Sequence, residues 1–228
     1  MSNELVIYGM KGSPFVRKVQ VMLAEKSIAY DFEMASPFPP PDWFVEMNPG
    51  KRIPVLRDRS VGTEGPDGTI PDSSAICLYI ERKHPEPALY PTDAFECGRA
   101  AWYEEFADND LAGRVGLGLF RPIVMAPMFG KEPDVDAARK TINEKLPPIF
   151  DYFELSIGDR EFLCGDTFSI ADIALATQFV NFRLAGAKLD AARWPTLAAY
   201  VERMHGRPSF AACISAEQKI FKAPQVEL

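Results

Sequence analysis

Three short strings in the first third of the chain each join a residue able to bond an anion or a peptide to one that fixes the nearby backbone. Ser13-Pro14 is the first. Proline suits the first position of a helix because it has no amide hydrogen to lose there, which puts Ser13 at the positive end of that helix. Two roles are open to Ser13: its oxygen caps the helix, or its hydroxyl donates to an anion held at the helix end. The second string is Ile53-Pro54, in NPGKRIPVL. A proline at the head of a strand removes a ladder hydrogen bond, so it stands at an edge, a bulge or a cis turn. A cis turn leaves the N–H and C=O of Ile53 for an extended, peptide-like ligand, whereas a trans edge proline has no such consequence. The third is Asp72-Ser73. Either residue can cap the helix that follows; alternatively, the first-turn amides receive a ligand carboxylate and Asp72 offers a counter-charge to an ammonium.

These strings need a sheet with helices to hold them, and the pattern of the first 85 residues supplies one. ELVIY (4–8) is a β-branched and aromatic run, followed by the turn formers GMKGSP and a helical pattern from Pro14 to Lys26. In that helix Phe15, Val19, Met22 and Leu23 recur at helical spacing while Arg17, Lys18, Gln20 and Glu25 take the other faces. A second strand follows near Ala29–Glu33, then a proline-rich stretch with room for a short helix from Asp42, then a strand over Ile53–Arg57. RDRSVGTEGPDGTIPD places turn formers between two extended pieces and predicts a hairpin with a long loop. Ser73–Lys83 has helical spacing and stops at HPEPALYPTD, a linker-like stretch. The order is βαβαββα, a mixed sheet with helices on its faces. From Ala94 onward the pattern is helical throughout, and in FSIADIALATQFVNF the pair Ser169 and Asp172 forms a capping box, a structural signal. The fold class is thus α/β plus all-α: residues 1–85 form the mixed domain, 86–94 the linker and 95–228 the all-helical domain.

Composition narrows the partners. With 228 residues, 47% of them hydrophobic and 25% charged, the chain is an ordinary globular protein with a sizeable core. A net charge of −7 argues against nucleic acid and anionic membranes, which call for clustered Lys and Arg. MSNELVIYGM lacks the basic start and apolar stretch of a secretory signal, and no apolar run approaches the ~20 residues that span a bilayer, so a soluble protein is expected. Cys77, Cys97, Cys164 and Cys213 lie far apart and read as small buried hydrophobes. His84 and His205 are too few and too separated for a metal site, so none is assigned.

Four strings, SPFVRKVQVMLAEKSIAY, NPGKRIPVL, PDSSAICLYIERKHP and FLCGDTFSIADIAL, occur in this order, and together they resemble the cytosolic glutathione transferase family over nearly the whole chain. The resemblance implies a thioredoxin-like N-terminal domain that binds glutathione, a helical C-terminal domain that shapes the second-substrate pocket, and a cytoplasmic homodimer with a role in detoxification. Ser13 matches the serine that hydrogen-bonds the glutathione sulfur in serine-type classes, and Phe15, which completes the SPF string shared with tau-class and some bacterial members, is implied as a further glutathione-binding residue. Arg52 matches the basic residue near the glycyl carboxylate, Ile53 the backbone partner of the cysteinyl part, and Pro54 the cis-proline; Asp72 and Ser73 match the holders of the γ-glutamyl end. Tyr103, Phe106 and Phe120 are the candidates for the second-substrate pocket, on segments that equally suit core packing. Tyr8 stands near the place of the catalytic tyrosine of other classes, or is a core strand residue, and the hairpin between Pro54 and Asp72 is longer than is usual in the family. The implied activity is formation of a glutathione thiolate that attacks a small hydrophobic electrophile. The alternatives are a non-catalytic ligand-binding or assembly protein of the same fold, or a glutathione-dependent lyase, isomerase or peroxidase.

Overall fold

The computed structural model describes residues 2–222, 224 and 226–228. Two compact units make up the chain, Met1–Leu89 and Tyr90–Leu228.

The first unit runs β1 (Leu5–Gly9), α1 (Pro14–Glu25), β2 (Tyr30–Met34), α2 (Asp42–Met47), β3 (Val55–Asp58), β4 (Thr69–Pro71) and α3 (Ser73–Lys83), the expected βαβαββα order. Its four-stranded sheet has the order β2-β1-β3-β4. β1 and β2 are parallel, while β3 runs antiparallel to both β1 and β4. Alternation sorts the side chains. Val6, Tyr8 and Val55 turn to one face, where they join Ala35 and α2 residues Phe44 and Met47 in an apolar cluster. The long hairpin loop is held by Arg57, buried in β3, whose guanidinium donates to the carbonyls of Asp67 (2.9 Å) and Gly65 (2.7 Å). Gly68 closes that loop at φ +69°, where a Cβ would sit 2.6 Å from the Asp58 carbonyl oxygen.

Helix α1 departs from the amphipathic expectation. Val19, Met22 and Leu23 are buried as predicted, but so are Arg17, Lys18 and Gln20. The polar residues are used in tertiary bonds: Gln20 Nε2 donates to the Tyr30 hydroxyl (3.0 Å) and Lys18 Nζ to Ser74 Oγ (3.0 Å). Lys26, just past the helix, donates to the carbonyls of His84 (2.7 Å) and Pro87 (2.6 Å) and pairs with Glu81 at 2.8 Å. Periodicity marks the sheet-facing stripe of a helix, and it is blind to polar side chains that find partners inside the fold.

Every element of the second unit is helical among its described residues. A continuous helical stretch comprises α4 (Ala94–Phe106), a π-helical turn (Ala107–Leu111), α5 (Ala112–Val115), a longer π-helical segment (Gly116–Met125) and α6 (Ala126–Met128). Pro122 lies inside the longer π segment, where a missing N–H and a ring that crowds the preceding turn disfavour regular α-helical bonding. The remainder is α7 (Val135–Lys140), a third π turn (Thr141–Lys145), α8 (Pro147–Ile157), α9 (Ile170–Leu184), α10 (Pro195–His205) and α11 (Pro208–Gln218). Asp172, fully buried at the start of α9, reaches back to the Ser169 amide (2.8 Å) as the capping box requires. It also accepts from the Leu163 amide (2.9 Å) and the Tyr200 hydroxyl (2.6 Å), so one carboxylate joins α9, the preceding loop and α10. Cys77 and Cys164 are buried, and Cys97 and Cys213 are only partly covered. Burial pushes the Cys164 thiol up to about 11, leaving it protonated at neutral pH.

Asp58, buried at the end of β3, anchors the first unit by accepting from Lys83, Tyr79 and Ser60. Burial opposes its charge, but these bonds outweigh it and hold its carboxyl well below the usual carboxylate range. A depressed folded-state pKa contributes stability that is present above the unfolded value, near 4, and is lost as pH falls towards the folded value. Asp58→Asn should therefore lower stability at neutral pH and flatten its decline from about pH 5 to pH 2, as read by denaturant unfolding across that range. Parallel wild-type and variant curves would contradict the role given to this carboxylate.

Candidate functional site

The three strings converge because of strand register. Tyr8 of β1 pairs with Val55 of β3, and Val55 in turn pairs with Pro71 of β4, so the three form one row across the sheet. β3 runs opposite to its two neighbours, so the chain leaves β1, enters β3 and leaves β4 along the same edge. Ser13 follows the end of β1, Ile53-Pro54 precedes β3, and Asp72-Ser73 follows β4. With strands about 4.8 Å apart, the row spans about 10 Å, close to the length of an extended tripeptide.

At one end of the site, Ser13 is the N-cap of α1, in extended conformation (φ −78°, ψ 122°). Its Oγ accepts from the Val16 amide at a long 3.4 Å. That contact uses a lone pair and leaves the hydroxyl proton available for donation, so the capping and donor roles are compatible. The end of β1 and the first turn of α1 approach closely at Gly9, where a Cβ would lie 2.6 Å from Val16 Cγ2. Phe15 is half-buried on that turn.

In the middle, the Ile53-Pro54 peptide is cis. Pro54 is buried, Ile53 packs against the Tyr8 cluster, and the paired residues of β3 begin at Val55, leaving Ile53 outside the ladder. Arg52 is exposed beside it. The turn leading here is organised by a residue that the sequence reading passed over. Asn48, buried, donates from Nδ2 to the Arg52 carbonyl (2.7 Å) and accepts at Oδ1 from the Gly50 amide (2.9 Å). An asparagine directly before Pro-Gly, with its capacity for side-chain turns, was the available signal.

At the far end, Asp72 caps α3 by accepting at Oδ1 from the amides of Ser74 (2.9 Å) and Ala75 (3.2 Å). It adopts φ +79°, a conformation that costs a non-glycine residue about 1–3 kcal/mol and clusters at ligand sites. The cap takes the second and third amides of the helix and leaves the first, that of buried Ser73, outside it.

Tyr8 is buried in the α2-side cluster with its ring 5.7 Å from that of Trp43, the surroundings of a core strand residue. In the second unit Tyr103 is buried and Phe106 half-buried, both with rings against Phe153 (6.3 and 5.6 Å). Phe120 has its ring against that of Phe221 (5.7 Å). Among the described residues no cluster of His, Cys, Asp or Glu is placed to hold a metal ion, and no helix is long and apolar enough to cross a membrane.

A mixed four-stranded sheet of this connectivity followed by a helical unit is a thioredoxin-like domain joined to an all-α domain, and the chain belongs to the glutathione S-transferase family. Residues 7–88 match the family's N-terminal domain and residues 115–208 its C-terminal domain. The chain is 32% identical to the "Uncharacterized GST-like protein YibF" of Escherichia coli K12, over 90% of this chain and 96% of that one. Its fold superposes on a glutathione S-transferase from Rhodospirillum rubrum F11 with a TM-score of 0.82 at 27% identity, covering 92% and 91% of the two chains. A glutathione S-transferase from Methylobacterium radiotolerans, solved in complex with glutathione sulfonate, matches with a TM-score of 0.73 at 26% identity over 98% and 96% of the chains.

Asn48→Ala should free the turn that carries Arg52 and Ile53. An unfolding free energy lower by about 1–2 kcal/mol is expected, together with faster hydrogen exchange at the amides of residues 50–53. Unchanged exchange there would show that the turn holds without this side chain.

Proposed function

We propose that the protein is a serine-type glutathione transferase that binds glutathione along the edge where β1, β3 and β4 meet their loops and activates its thiol for attack on a small hydrophobic electrophile. The observation that carries this reading is the single row Tyr8–Val55–Pro71, which sets the three strings side by side at tripeptide spacing. In this reading the cysteinyl backbone pairs with the N–H and C=O of Ile53, like an added strand. The γ-glutamyl carboxylate takes the Ser73 amide and hydroxyl at the positive end of α3, with Asp72 facing the ammonium. Arg52 answers the glycyl carboxylate.

The chemistry then falls to Ser13. A free thiol with a pKa near 8.5 is mostly protonated at neutral pH, whereas the thiolate is the nucleophile. The Ser13 hydroxyl donates to the sulfur and the first-turn amides of α1 add their partial positive charge, so the anion is favoured and the thiol proton passes to solvent. Each unit of lowering requires about 1.4 kcal/mol, within reach of one charge-assisted hydrogen bond and a helix terminus. The thiolate attacks the electrophilic carbon and forms a C–S bond, and the displaced group leaves with its electron pair. Serine cannot form a mixed disulfide with glutathione, which favours conjugation over thiol exchange. A homodimer in the cytoplasm, acting in detoxification, completes the reading.

Thiolate absorbance of bound glutathione, followed against pH, tests the proposal. The wild type should lower the thiol pKa by about one to two units, Ser13→Ala should lose most of that shift while still binding glutathione, and Ser13→Thr should retain much of it. Equal pKa values in wild type and Ser13→Ala would remove Ser13 from the mechanism. Absence of glutathione binding by the wild type would overturn the assignment of the whole site.

A further inference from the structure

Lysine is almost never fully buried without a partner, yet Lys18, on the second turn of α1, has none of its surface exposed. Its Nζ donates to Ser74 Oγ at 3.0 Å. Ser74 is the second residue of α3 and immediately follows Ser73. It is held twice, by Lys18 at its side chain and by Asp72 Oδ1 at its amide.

The first turn of a helix lacks intrahelical acceptors for its N–H groups and is where helices fray. Here that turn follows Asp72 in its costly φ +79° conformation. The cap on the Ser74 and Ala75 amides holds it from one side, and the Lys18 ammonium clamps it from α1. The clamp has a second effect. α1 carries Ser13 at its N-cap, five residues before Lys18, so the Lys18–Ser74 bond links the helix bearing the proposed sulfur donor to the turn bearing the proposed γ-glutamyl site.

We propose that Lys18 is a positioning residue for recognition of the γ-glutamyl carboxylate: through Ser74 it pre-organises the first turn of α3 so that the Ser73 amide and hydroxyl stand ready for that group. The inference rests on the glutathione site proposed above. Pre-organisation of this kind strengthens binding of the group that the ordered turn receives and leaves the rest of the ligand unaffected.

The test compares two ligands on three proteins. Glutathione carries the γ-glutamyl α-carboxylate; γ-aminobutyryl-cysteinylglycine is the same tripeptide without it. Dissociation constants for both are measured by calorimetry on the wild type, on Ser74→Ala and on Lys18→Met. Ser74→Ala removes one partly exposed hydroxyl and serves as the readout if loss of the buried lysine impairs folding. Loss of the tether should weaken glutathione binding about 3- to 10-fold, the worth of one hydrogen bond, while binding of the analogue stays within twofold of wild type. An unchanged glutathione affinity in Ser74→Ala, or an equal loss for both ligands, would overturn the proposal, because the contact would then be idle or merely structural. A wild type that binds no glutathione would instead refute the underlying site, a separable result.

Discussion

Pairing of Tyr8 with Val55 and of Val55 with Pro71 is the constraint on which the site depends. A slip of one residue in either ladder would turn every side chain of the moved strand to the opposite face, expelling Val55 from the α2-side cluster and Asp58 from its bonds to α3. Both faces of β3 therefore fix the register, one by apolar burial and the other by a buried carboxylate. Once it is fixed, the loops after β1, before β3 and after β4 must emerge together, and their polar groups become one surface.

Local devices then refine what register makes coarse. Asn48 sets the turn before Pro54, Asp72 caps α3 in a conformation few non-glycine residues adopt, and Ser13 caps α1 through a long bond that leaves its proton for another acceptor. All three are capping or turn interactions found in proteins of every function. Their number at a single sheet edge, with the unladdered Ile53 between them, is the basis on which the glutathione site is proposed along this edge.

Much of this architecture could be read from the sequence. Alternation and turn formers gave the strands of the first unit and the long hairpin, helical spacing gave α1 and α3, and Ser169 with Asp172 located the start of α9. What stayed hidden depends on tertiary partners. Lys18 and Gln20 look like solvated helix residues until Ser74 and Tyr30 are seen opposite them. Asn48 reads as an ordinary loop residue, and Asp172 gave no sign of its bonds to Leu163 and Tyr200, nine and 28 positions away. The π-helical turns beyond Phe106 have no periodicity signal distinct from that of an α-helix. Residue pattern specifies which surface turns inward; it does not name the group waiting there.

The central claim, a tripeptide laid along this edge, is tested most directly by backbone amide shifts as glutathione is added to the isotope-labelled protein. The account predicts saturable changes at Ile53 and Ser73 with one shared dissociation constant, since a single ligand reaches both the cis turn and the start of α3. Changes confined to other parts of the molecule, or at only one of these two amides, would contradict it.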